Sequence, residues 1–590
     1  MTTLKPATVA TAAHGHALTR RGPRERRWRA GRIPAFAGAV ALLIGVYDLF
    51  AGIHAHVPSH LEWVGDYIPG ALESAARTAT VIVGMLLLLL SHALRRRKAR
   101  AWRAAMLLLA LSVVFHLARG LYVVPAVVAA VLFAVLLYHR SEFSAMGDPR
   151  TRWRAVWVCC LMTGFSVLFG LVYLAANHRH IAGAYGLSDR LRQVVFGLVG
   201  VAGPVRFTSP DRAAFGATTL GALGLLTALV TVYLLFRPAA PAPSHDADDE
   251  RRMRELLAGH GDRDSLGYFA LRRDKSVIWS PSGKACITYR VVSGVMLASG
   301  DPLGDPEAWP GAIHAFCDEA TRHAWVPAVM GCGELGGEVW TRESGLDAIE
   351  LGDEAIVEVD DFTLDGRAMR NVRQMLTRVE RQGYVARLRR IADVPPDELA
   401  EIQRQAEEWL GNAAERGGFS MALGRIGEPG DANCAVATAH LDGRLAAVLH
   451  FVPWGADGLS LDLMRRDRAA AAGLNEFLIV CALRQAADLG VRRLSLNFAV
   501  FRSALERGAR LGAGPILRVW RGILLFLSRW FQIESLYRFN AKFRPAWEPR
   551  FVVFPHPRDW LRIGIAAMEA EAFIVFPHPS LRRLRRLVHR

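Results

Sequence analysis

The segment "NCAVATAHLDGRLAAVLHFVPWGADGLSLDLMRR", residues 433–466, decides the fold of the C-terminal half of the chain. Its first two apolar runs flank the dipeptide Asp442-Gly443, which favours the positive backbone angles of a two-residue hairpin turn. A third apolar run, "LSLDLMRR" at 459–466, follows after a short polar turn. The pattern therefore predicts an antiparallel hairpin followed by a third strand.

Two more predicted elements follow this hairpin along the chain. A helix is predicted over about 473–489, and the run "RRLSLNFAVF" at 492–501 is typical of a buried strand. Hairpin, strand, helix and strand follow one another in this order in the core of GNAT-type transferases. We therefore predict a GNAT-like unit over residues 386–556.

A similar set of elements precedes this unit. Strands are predicted within "ACITYRVVSGVMLASGDP" (285–302) and "WVPAVMGC" (325–332), and a helix near 306–323 separates them. The repetition predicts a first GNAT-like unit over residues 255–385. The soluble region is therefore expected to be α/β, with tandem GNAT-like acyltransferase folds.

The N-terminal part of the chain has a different pattern, because its apolar runs approach the twenty or so residues that a helix needs to cross hydrocarbon. The runs occupy roughly 34–54, 78–94, 104–118, 121–138, 155–176 and 214–236. The third and fourth are short and are separated by Arg119 and Gly120, so two spans and one broken re-entrant unit both fit. We predict a multi-pass α-helical membrane region with about six transmembrane helices.

Basic residues predict the orientation of this region. The N-terminal segment and the loops 95–103 and 139–154 hold most of its Lys and Arg, which favours a cytoplasmic location for all three. An even number of spans then returns everything after Arg237 to the cytoplasm. The predicted organisation is a basic N-terminus (1–33), a membrane domain (34–236), a Pro- and Asp-rich linker (237–254), the two GNAT-like subdomains and a basic tail (557–590).

The overall charge points to an anionic partner. The 590-residue chain has a formal net charge of +17, which suits nucleic acid or an anionic membrane surface. The seven cysteines never form the C-x-x-C spacing of a zinc or redox site. We interpret them as reduced core or membrane residues.

Motifs for bound nucleotides and metals are weak or missing from the sequence. The segment "GCGELG" at 331–336 matches G-x-G-x-x-G, but Gly345 interrupts the helix that a Rossmann unit would need next. Neither a Walker A motif nor H-E-x-x-H occurs, and "RLGAG" at 510–514 has the wrong spacing for an acyl-CoA pyrophosphate loop. We therefore predict no cofactor and no metal, so the energy for any transfer must come from an activated substrate.

Polar residues converge where predicted strands and helices of the second unit end. Asp462 lies near the end of one strand, with Arg465 three residues later, and Glu476 opens the following helix beside Asn475. A helix N-terminus favours an anion or a carbonyl oxygen. Asn497 lies within an otherwise apolar strand, where an unpaired polar group would be costly. Together these residues predict a site.

The soluble half resembles the C-terminal domain of bacterial phosphatidylglycerol lysyltransferases, the multiple peptide resistance factor family. The resemblance covers roughly residues 262–556. Its motifs are "GYFALRRDKSVIWSPSGKACITYRV", "GDPLGDPEAW", "GGFSMALGR", "DLMRR", "GLNEFLI", "SLNFAVFR" and "LYRFNAKFRPAWEPRF". It implies transfer of an aminoacyl group, most often lysyl, from aminoacyl-tRNA to the glycerol hydroxyl of phosphatidylglycerol at the cytoplasmic leaflet, which lowers the negative charge of the membrane.

The resemblance and the predicted geometry together suggest roles for individual residues. Asp462 is expected to hold the substrate amino group or assist proton transfer, and Arg465 to support an oxyanion or a phosphate. Glu476 is the next acid–base candidate, with Asn497 orienting. The segment 534–551, expected to be a loop, mixes aromatic and basic residues as single-stranded RNA recognition requires. Predicted contacts to tRNA or lipid phosphate are Arg502, Tyr537, Arg538, Asn540, Lys542 and Arg544, and the predicted pocket rim is Gly418, Phe419, Ser420 and Asn475.

Other readings of the sequence stay open. A Fem-type aminoacyl transferase acting on a cell-wall precursor shares the tandem units, although such enzymes are typically soluble. A non-catalytic membrane protein that binds lipid or tRNA, and a flippase with a cytosolic regulatory domain, are alternatives from other classes. The identity of the amino acid, the acceptor lipid and a homo-oligomeric state are not readable from one sequence.

Overall fold

The computed structural model describes residues 32–53, 70–95, 97–118, 123–143, 150–236, 245–410, 418–500 and 533–572. The N-terminal part of these residues is helical. Its helices are α1 (Arg32–Ile53), α2 (Gly70–Arg95), α3 (Ala99–Ala118), α4 (Val123–Tyr138), α5 (Arg150–Ala176), α6 (Leu187–Leu198) and α7 (Pro210–Phe236).

Apolar helices cover all six of the predicted spans, but they differ in length. Within the described residues, four contain a segment long and apolar enough to cross a membrane, namely Ile33–Phe50, Ala99–Leu117, Ala155–Ala176 and Pro210–Leu235. The apolar segments Ala79–Arg95 and Val123–Tyr138 are shorter. The 16 residues of α4 span about 24 Å at 1.5 Å per residue, against about 30 Å of hydrocarbon. The four longer apolar helices indicate that the chain is membrane-associated.

No apolar run predicts the helix α6, which lies between the predicted spans 155–176 and 214–236. Leu187–Leu198 is amphipathic rather than uniformly apolar, and it buries Val194 and Gly197. Gly197 permits a close approach, because a Cβ there would lie 2.8 Å from Leu220 Cδ1 of α7. Tertiary packing against a neighbouring helix thus stabilises a segment that local hydropathy does not mark as a span.

Polar side chains join two of the membrane helices. Asp48 of α1 accepts a hydrogen bond from Ser112 of α3 at 3.2 Å, and its other carboxylate oxygen lies 2.8 Å from His116 Nε2. Both partners of the Asp48–His116 pair are buried. The pair is satisfied internally, which lowers the cost of placing ionisable groups inside an apolar bundle.

The soluble region begins inside the stretch interpreted as a linker. The helix α8 (Ala247–His260) starts at the Asp-rich end of that stretch, because Asp246 caps it and accepts bonds from the backbone N–H groups of Asp248 and Asp249. The Asp246 backbone N–H donates a bond to the Asp249 carboxylate, which completes a capping box. The acidic residues therefore start a helix instead of solvating an extended chain.

One mixed sheet organises the rest of the soluble region. Its strands are β1 (Ser276–Trp279), β2 (Ala285–Val292), β3 (Val295–Ser299), β4 (Leu303–Gly304), β5 (Val326–Cys332), β6 (Asp347–Glu358), β7 (Val385–Arg390), β8 (Ala435–Leu441), β9 (Arg444–Trp454), β10 (Gly458–Arg466), β11 (Arg493–Val500) and β12 (Ala546–Phe554). The helices are α9 (Trp309–His323), α10 (Glu334–Ser344), α11 (Arg370–Arg381), α12 (Pro396–Glu408), α13 (Leu474–Gln485), α14 (Ile533–Ala541) and α15 (Trp560–Ala570).

The strand order shows two related halves. It runs β1-β2-β3-β5-β12-β6-β11-β10-β9-β8-β7, with β4 beside β2. Each half contains one parallel pair, β3 with β5 and β10 with β11, and the other pairs are antiparallel. A crossover helix joins the strands of each parallel pair, α9 in the first half and α13 in the second, as parallel pairing requires. The predicted hairpin turn is confirmed, since Asp442 and Gly443 both have positive φ.

The segment 534–551 was expected to be a loop, and that expectation was wrong. Its first part lies in α14 and its second part in β12, which pairs with β5 on one side and β6 on the other. A central strand containing Arg550 is stable because Asp264 and Glu354 pair with the buried guanidinium. The irregular pattern thus arises from a helix and a strand joined by a short turn, with one buried charge.

Candidate functional site

The candidate site lies where the parallel strands of the second half separate. β10 and β11 pair only from Gly458–Ser460 against Arg493–Ser495. Beyond this point both strands are irregular, with register shifts at Leu461/Leu463 against β9 and at Ser495/Phe498 against β6. Bulges of this kind bend a strand and end its pairing, so the two strands diverge at this point.

Asn497 occupies the irregularity in β11. Its φ of +69° is unusual for a residue other than glycine, and its Nδ2 donates to the Leu461 carbonyl across the opening at 2.5 Å. Its Oδ1 is buried and has no hydrogen-bond partner among the described residues. Asn497 therefore combines a strained backbone with a buried unpaired acceptor, two features that each need an explanation in a folded protein.

Asp462 lies at the corresponding irregularity in β10, but its surroundings differ from those expected. One carboxylate oxygen accepts a bond from the Leu423 backbone N–H at 2.7 Å, and the other lies 2.6 Å from His450 Nδ1. The Asp462 side chain is 1 % exposed. In this conformation both carboxylate oxygens are bonded to protein groups.

His450 is the partner that sequence reasoning missed. Its ring is fully buried on β9, where burial alone would lower the pKa, but the hydrogen bond with the Asp462 carboxylate raises the pKa of His450 to about 10. The signal was present in the sequence, because a histidine interrupts the apolar run "AAVLHFV" of a predicted strand. Like Asn497, such a residue needs a buried partner.

Glu476 and Lys542 meet at the start of α13. The Lys542 ammonium lies 2.7 Å from Glu476 Oε1, with the carboxylate side chain mostly buried and the lysine half exposed. Gly473 at the N-cap has φ +95°, and a Cβ there would lie 2.6 Å from Met375. A positive-φ glycine thus lets α11 pack closely against the helix start that presents Glu476.

The other predicted contacts from the α14–β12 segment divide into surface and interior positions. Arg538 and Arg544 are exposed, and the Tyr537 ring lies 5.6 Å from the ring of Trp547. Asn540 is buried and donates to the Leu496 carbonyl of β11 at 3.2 Å. Asn540 therefore joins α14 to the opening strand and is not placed to contact a phosphate. Arg502 lies outside the described residues.

Two further predicted residues lie near the site on α13 and β10. Asn475 precedes Glu476 in the first turn of α13, and its Oδ1 is buried without a hydrogen-bond partner among the described residues. Arg465 is half-buried near the end of β10. The sequence suggested Arg465 and Asp462 as a pair, and in the structure the two Asp462 carboxylate oxygens bond to Leu423 and His450.

The predicted pocket rim lies in the backbone segment 418–423, the strap, which is held by charged groups. The N–H groups of Phe419 and Ser420 donate to the two oxygens of Glu571, at 2.7 Å and 3.0 Å. Arg272 donates to the Ala422 carbonyl at 3.0 Å, and Gly418 permits the turn with φ +118°. The strap therefore contacts the end of α15, the segment before β1, and Asp462 of β10 through Leu423.

A buried lysine supports this strap from below. Lys275 Nζ lies 4.9 Å from the centre of the Phe419 ring and donates to the Phe269 carbonyl and to Ser299 Oγ. Burial, reinforced by the nearby Arg272 charge, lowers the pKa of Lys275 to about 7. Neither Lys275 nor Glu571 was singled out from the sequence, because the strap residues that they contact are more than a hundred residues away in the chain.

The glycine motif at 331–336 has a structural explanation. Asp301 accepts a bond from the Gly333 N–H at 2.8 Å, and a Cβ on Gly336 would lie 2.0 Å from Asp301 Oδ1. A carboxylate of the protein thus lies at the helix start where a dinucleotide would place its pyrophosphate. The following helix, α10, ends at Ser344. Among the described residues there is also no group of three or more His, Cys, Asp or Glu side chains that could hold a metal.

Two halves with matching parallel pairs and crossover helices define a tandem GNAT-like acyltransferase fold, and the open strand pair of the second half is its candidate active site. The family model described as phosphatidylglycerol lysyltransferase, C-terminal, matches residues 254–554. The chain belongs to this phosphatidylglycerol lysyltransferase family.

Similar proteins extend the likeness into the membrane region. The lysylphosphatidylglycerol biosynthesis bifunctional protein LysX of Rhodococcus opacus (strain B4) is 40% identical over 568 residues, which cover 93% of this chain and 50% of that protein. LysX of Mycobacterium tuberculosis (strain F11) is 38% identical over 575 residues, covering 94% and 48%. The chain therefore spans about half the length of these curated relatives.

Among solved structures, L-PGS from Bacillus licheniformis aligns with a TM-score of 0.48. The two proteins are 20% identical, and the alignment covers 56% of this chain and 98% of that one.

Proposed function

We propose that this chain transfers an aminoacyl group, most often lysyl, from aminoacyl-tRNA to the glycerol hydroxyl of phosphatidylglycerol. Family membership supports the acceptor and the lysyl group, since the relatives are named for lysylphosphatidylglycerol biosynthesis. The observation that carries the proposal is the opening between β10 and β11, with Asn497 and the Glu476–Lys542 pair near it. An acyl group bound there would lie beside Asn497 Oδ1, a buried acceptor that has no hydrogen-bond partner among the described residues.

The proposed reaction needs no external energy. The hydroxyl oxygen of the lipid attacks the ester carbonyl of the aminoacyl group, and the bond from that carbon to the terminal ribose oxygen breaks. The hydroxyl proton is transferred to the leaving ribose oxygen, so one ester is exchanged for another. This chemistry requires a proton carrier and stabilisation of the developing oxyanion, and it requires neither a nucleotide nor a metal.

The geometry suggests how the residues divide this work. Glu476 is the proposed proton carrier, because its mostly buried carboxylate lies at the start of α13 and is held by Lys542 Nζ at 2.7 Å. Asn497 orients the acyl group through its unpaired Oδ1, and Arg465 supports the oxyanion or a phosphate. Asp462 positions the strap and the end of β10. Arg538, Arg544, Tyr537 and Arg502 remain proposed contacts for tRNA or lipid phosphate.

The charge of the chain and its membrane helices fit both substrates. A formal net charge of +17 favours binding of tRNA phosphates and of anionic lipid, and the apolar helices keep the soluble region close to its lipid substrate. The basic loops of the membrane region favour a cytoplasmic location for the N-terminus and the soluble region. We therefore place the reaction at the cytoplasmic leaflet of the cell membrane.

Lipid analysis tests the acceptor and the amino acid. The chain is expressed in a bacterial host that lacks aminoacylated lipids, beside Lys542→Met and the control Arg251→Gln, whose exposed pair with Asp248 lies on α8. Mass spectrometry should show phosphatidylglycerol heavier by one lysyl group in the native chain and the control, and little in Lys542→Met. An unchanged lipid profile from well-inserted native protein would reject lipid aminoacylation.

A reconstituted assay tests the donor. Detergent-purified protein is mixed with phosphatidylglycerol vesicles and lysyl-tRNA, and parallel reactions contain free lysine with ATP or lysyl-tRNA treated with ribonuclease. Product is expected only with intact lysyl-tRNA. Product from free lysine and ATP alone would overturn the proposed donor while leaving the acceptor in place.

A further inference from the structure

The last paired residues of β10 and β11 are both serines, and both are fully buried. Ser460 and Ser495 face each other at the end of the parallel pairing, immediately before the strands separate. A buried hydroxyl costs free energy unless it is hydrogen-bonded. Each of the two serines bonds to a group outside its own strand.

Those bonds lead into one buried charge network between the two halves of the sheet. Ser460 Oγ donates to the Ser265 carbonyl at 2.7 Å, and Ser495 Oγ donates to Glu354 Oε1. Ser265 Oγ donates to the same Glu354 oxygen at 2.5 Å. The two strands are therefore joined through Ser265 and Glu354 at the position where they separate.

Arg550 fixes this carboxylate and hydroxyl from β12. Its Nε donates to Glu354 Oε2 at 2.9 Å, its Nη2 to Ser265 Oγ at 2.7 Å, and its Nη1 to Asp264 Oδ1 at 2.8 Å. Every charged member is buried, so removing one partner would leave a buried charge without its counter-charge.

The network also reaches the strained residue of the candidate site. Ser495 Oγ accepts a bond from the Asn497 backbone N–H at 3.2 Å, two residues along the irregular part of β11. Asn497 in turn bonds to the Leu461 carbonyl of β10. A continuous path of bonds therefore runs from Arg550 through Glu354 and Ser495 to Asn497.

We propose that Ser495, held by Glu354 and Arg550, is a positioning residue for the transfer reaction, because it fixes the backbone of Asn497 and thus the width and orientation of the opening. The inference rests on the proposed aminoacyl transfer and assigns no contact between Ser495 and a substrate. Its effect is on the reactive geometry, so a change at Ser495 should alter kcat more than KM.

The test is a double-mutant cycle on the full chain in the lysyl-tRNA assay. Ser495→Ala is expected to lower kcat on the order of 10–100-fold with KM for lysyl-tRNA nearly unchanged. In an Asn497→Ala background the same substitution should have almost no further effect, because the path ends at that residue. Ser344→Ala is the matched control, since its buried hydroxyl bonds to Trp340 and Leu346 at the end of α10, and it should leave kcat unchanged.

The possible results separate the two proposals. No transfer by the native chain would overturn the proposed function and this inference with it. Two other results would overturn the positioning role alone, provided that the native chain is active. One is a kcat for Ser495→Ala equal to that for Ser344→Ala, and the other is a double variant in which the losses of kcat from Ser495→Ala and Asn497→Ala multiply. If Ser495→Ala does not fold, Ser460→Ala breaks the same junction from β10 and should show the same loss of kcat; normal kcat there would reject the inference.

Discussion

Lys542 Nζ lies 2.7 Å from Glu476 Oε1, which joins the turn after α14 to the first turn of α13 across 66 residues of sequence. The contact brings a cation from the aromatic, basic segment to the acid at the helix start. The two residues lie too far apart in the sequence for a local spacing rule to pair them. The site is therefore assembled by the packing of α14 against the second half of the sheet.

Substituting this pair tests whether it acts chemically. Lys542→Met should reduce transfer on the order of 10–100-fold, because Glu476 loses the ammonium group that orients its carboxylate. The half-exposed position of Lys542 predicts little change in melting temperature. The exchanged double variant Glu476→Lys/Lys542→Glu restores the ion pair but should stay inactive. Recovery of transfer in that variant would show that the pair is only structural.

The Asp462–His450 pair predicts a pH-dependent stability. The folded pKa of His450, about 10, lies above the ordinary value of 6.5, so its contribution is fully present below pH 6.5 and is lost as pH rises through 10. Thermal unfolding of the full chain in detergent should therefore show a native advantage over Asp462→Asn at pH 6 that shrinks by pH 10. A constant difference between the two proteins across this range would contradict the assigned protonation of His450.

The crossing of α1 and α2 predicts a sharp difference between two glycines. A Cβ on Gly84 would lie 2.7 Å from Asp48 Cβ and 2.8 Å from the Gly45 carbonyl, whereas one on Gly164 of α5 would contact nothing within 4 Å. Gly84→Ala should separate the helices and lower the melting temperature. Gly164→Ala should be neutral or stabilising, since alanine is the better helix former. Equal melting temperatures for both variants would reject this packing.

The glycine motif of α10 gives a similar comparison. Gly336→Ala should destabilise the soluble region, because its Cβ would collide with Asp301 Oδ1, while Gly564→Ala on α15 meets nothing within 4 Å and should stabilise the helix by up to about 1 kcal/mol. Denaturant unfolding of the full chain measures both. If the motif instead bound a dinucleotide, added NAD would raise the melting temperature of the native chain.

Local patterns in the sequence were sufficient for the architecture. Apolar runs marked the four helices long and apolar enough to cross a membrane, and the alternating runs around Asp442-Gly443 marked the hairpin, because burial period and turn chemistry are local properties. The order of elements indicated the tandem fold for the same reason. For the segment 534–551 this approach predicted a loop and was wrong, because the buried charge of Arg550 makes a central strand look polar.

Sequence alone therefore determined the membrane region, the α/β class, the family resemblance and a short set of candidate residues. Only the tertiary structure showed that Asp462 bonds to His450 and Leu423, that Asn540 joins α14 to β11, and that β12 lies between β5 and β6. The physical reason is that such partners are chosen by long-range packing and by the need to satisfy buried polar groups. Neither leaves a period in the sequence.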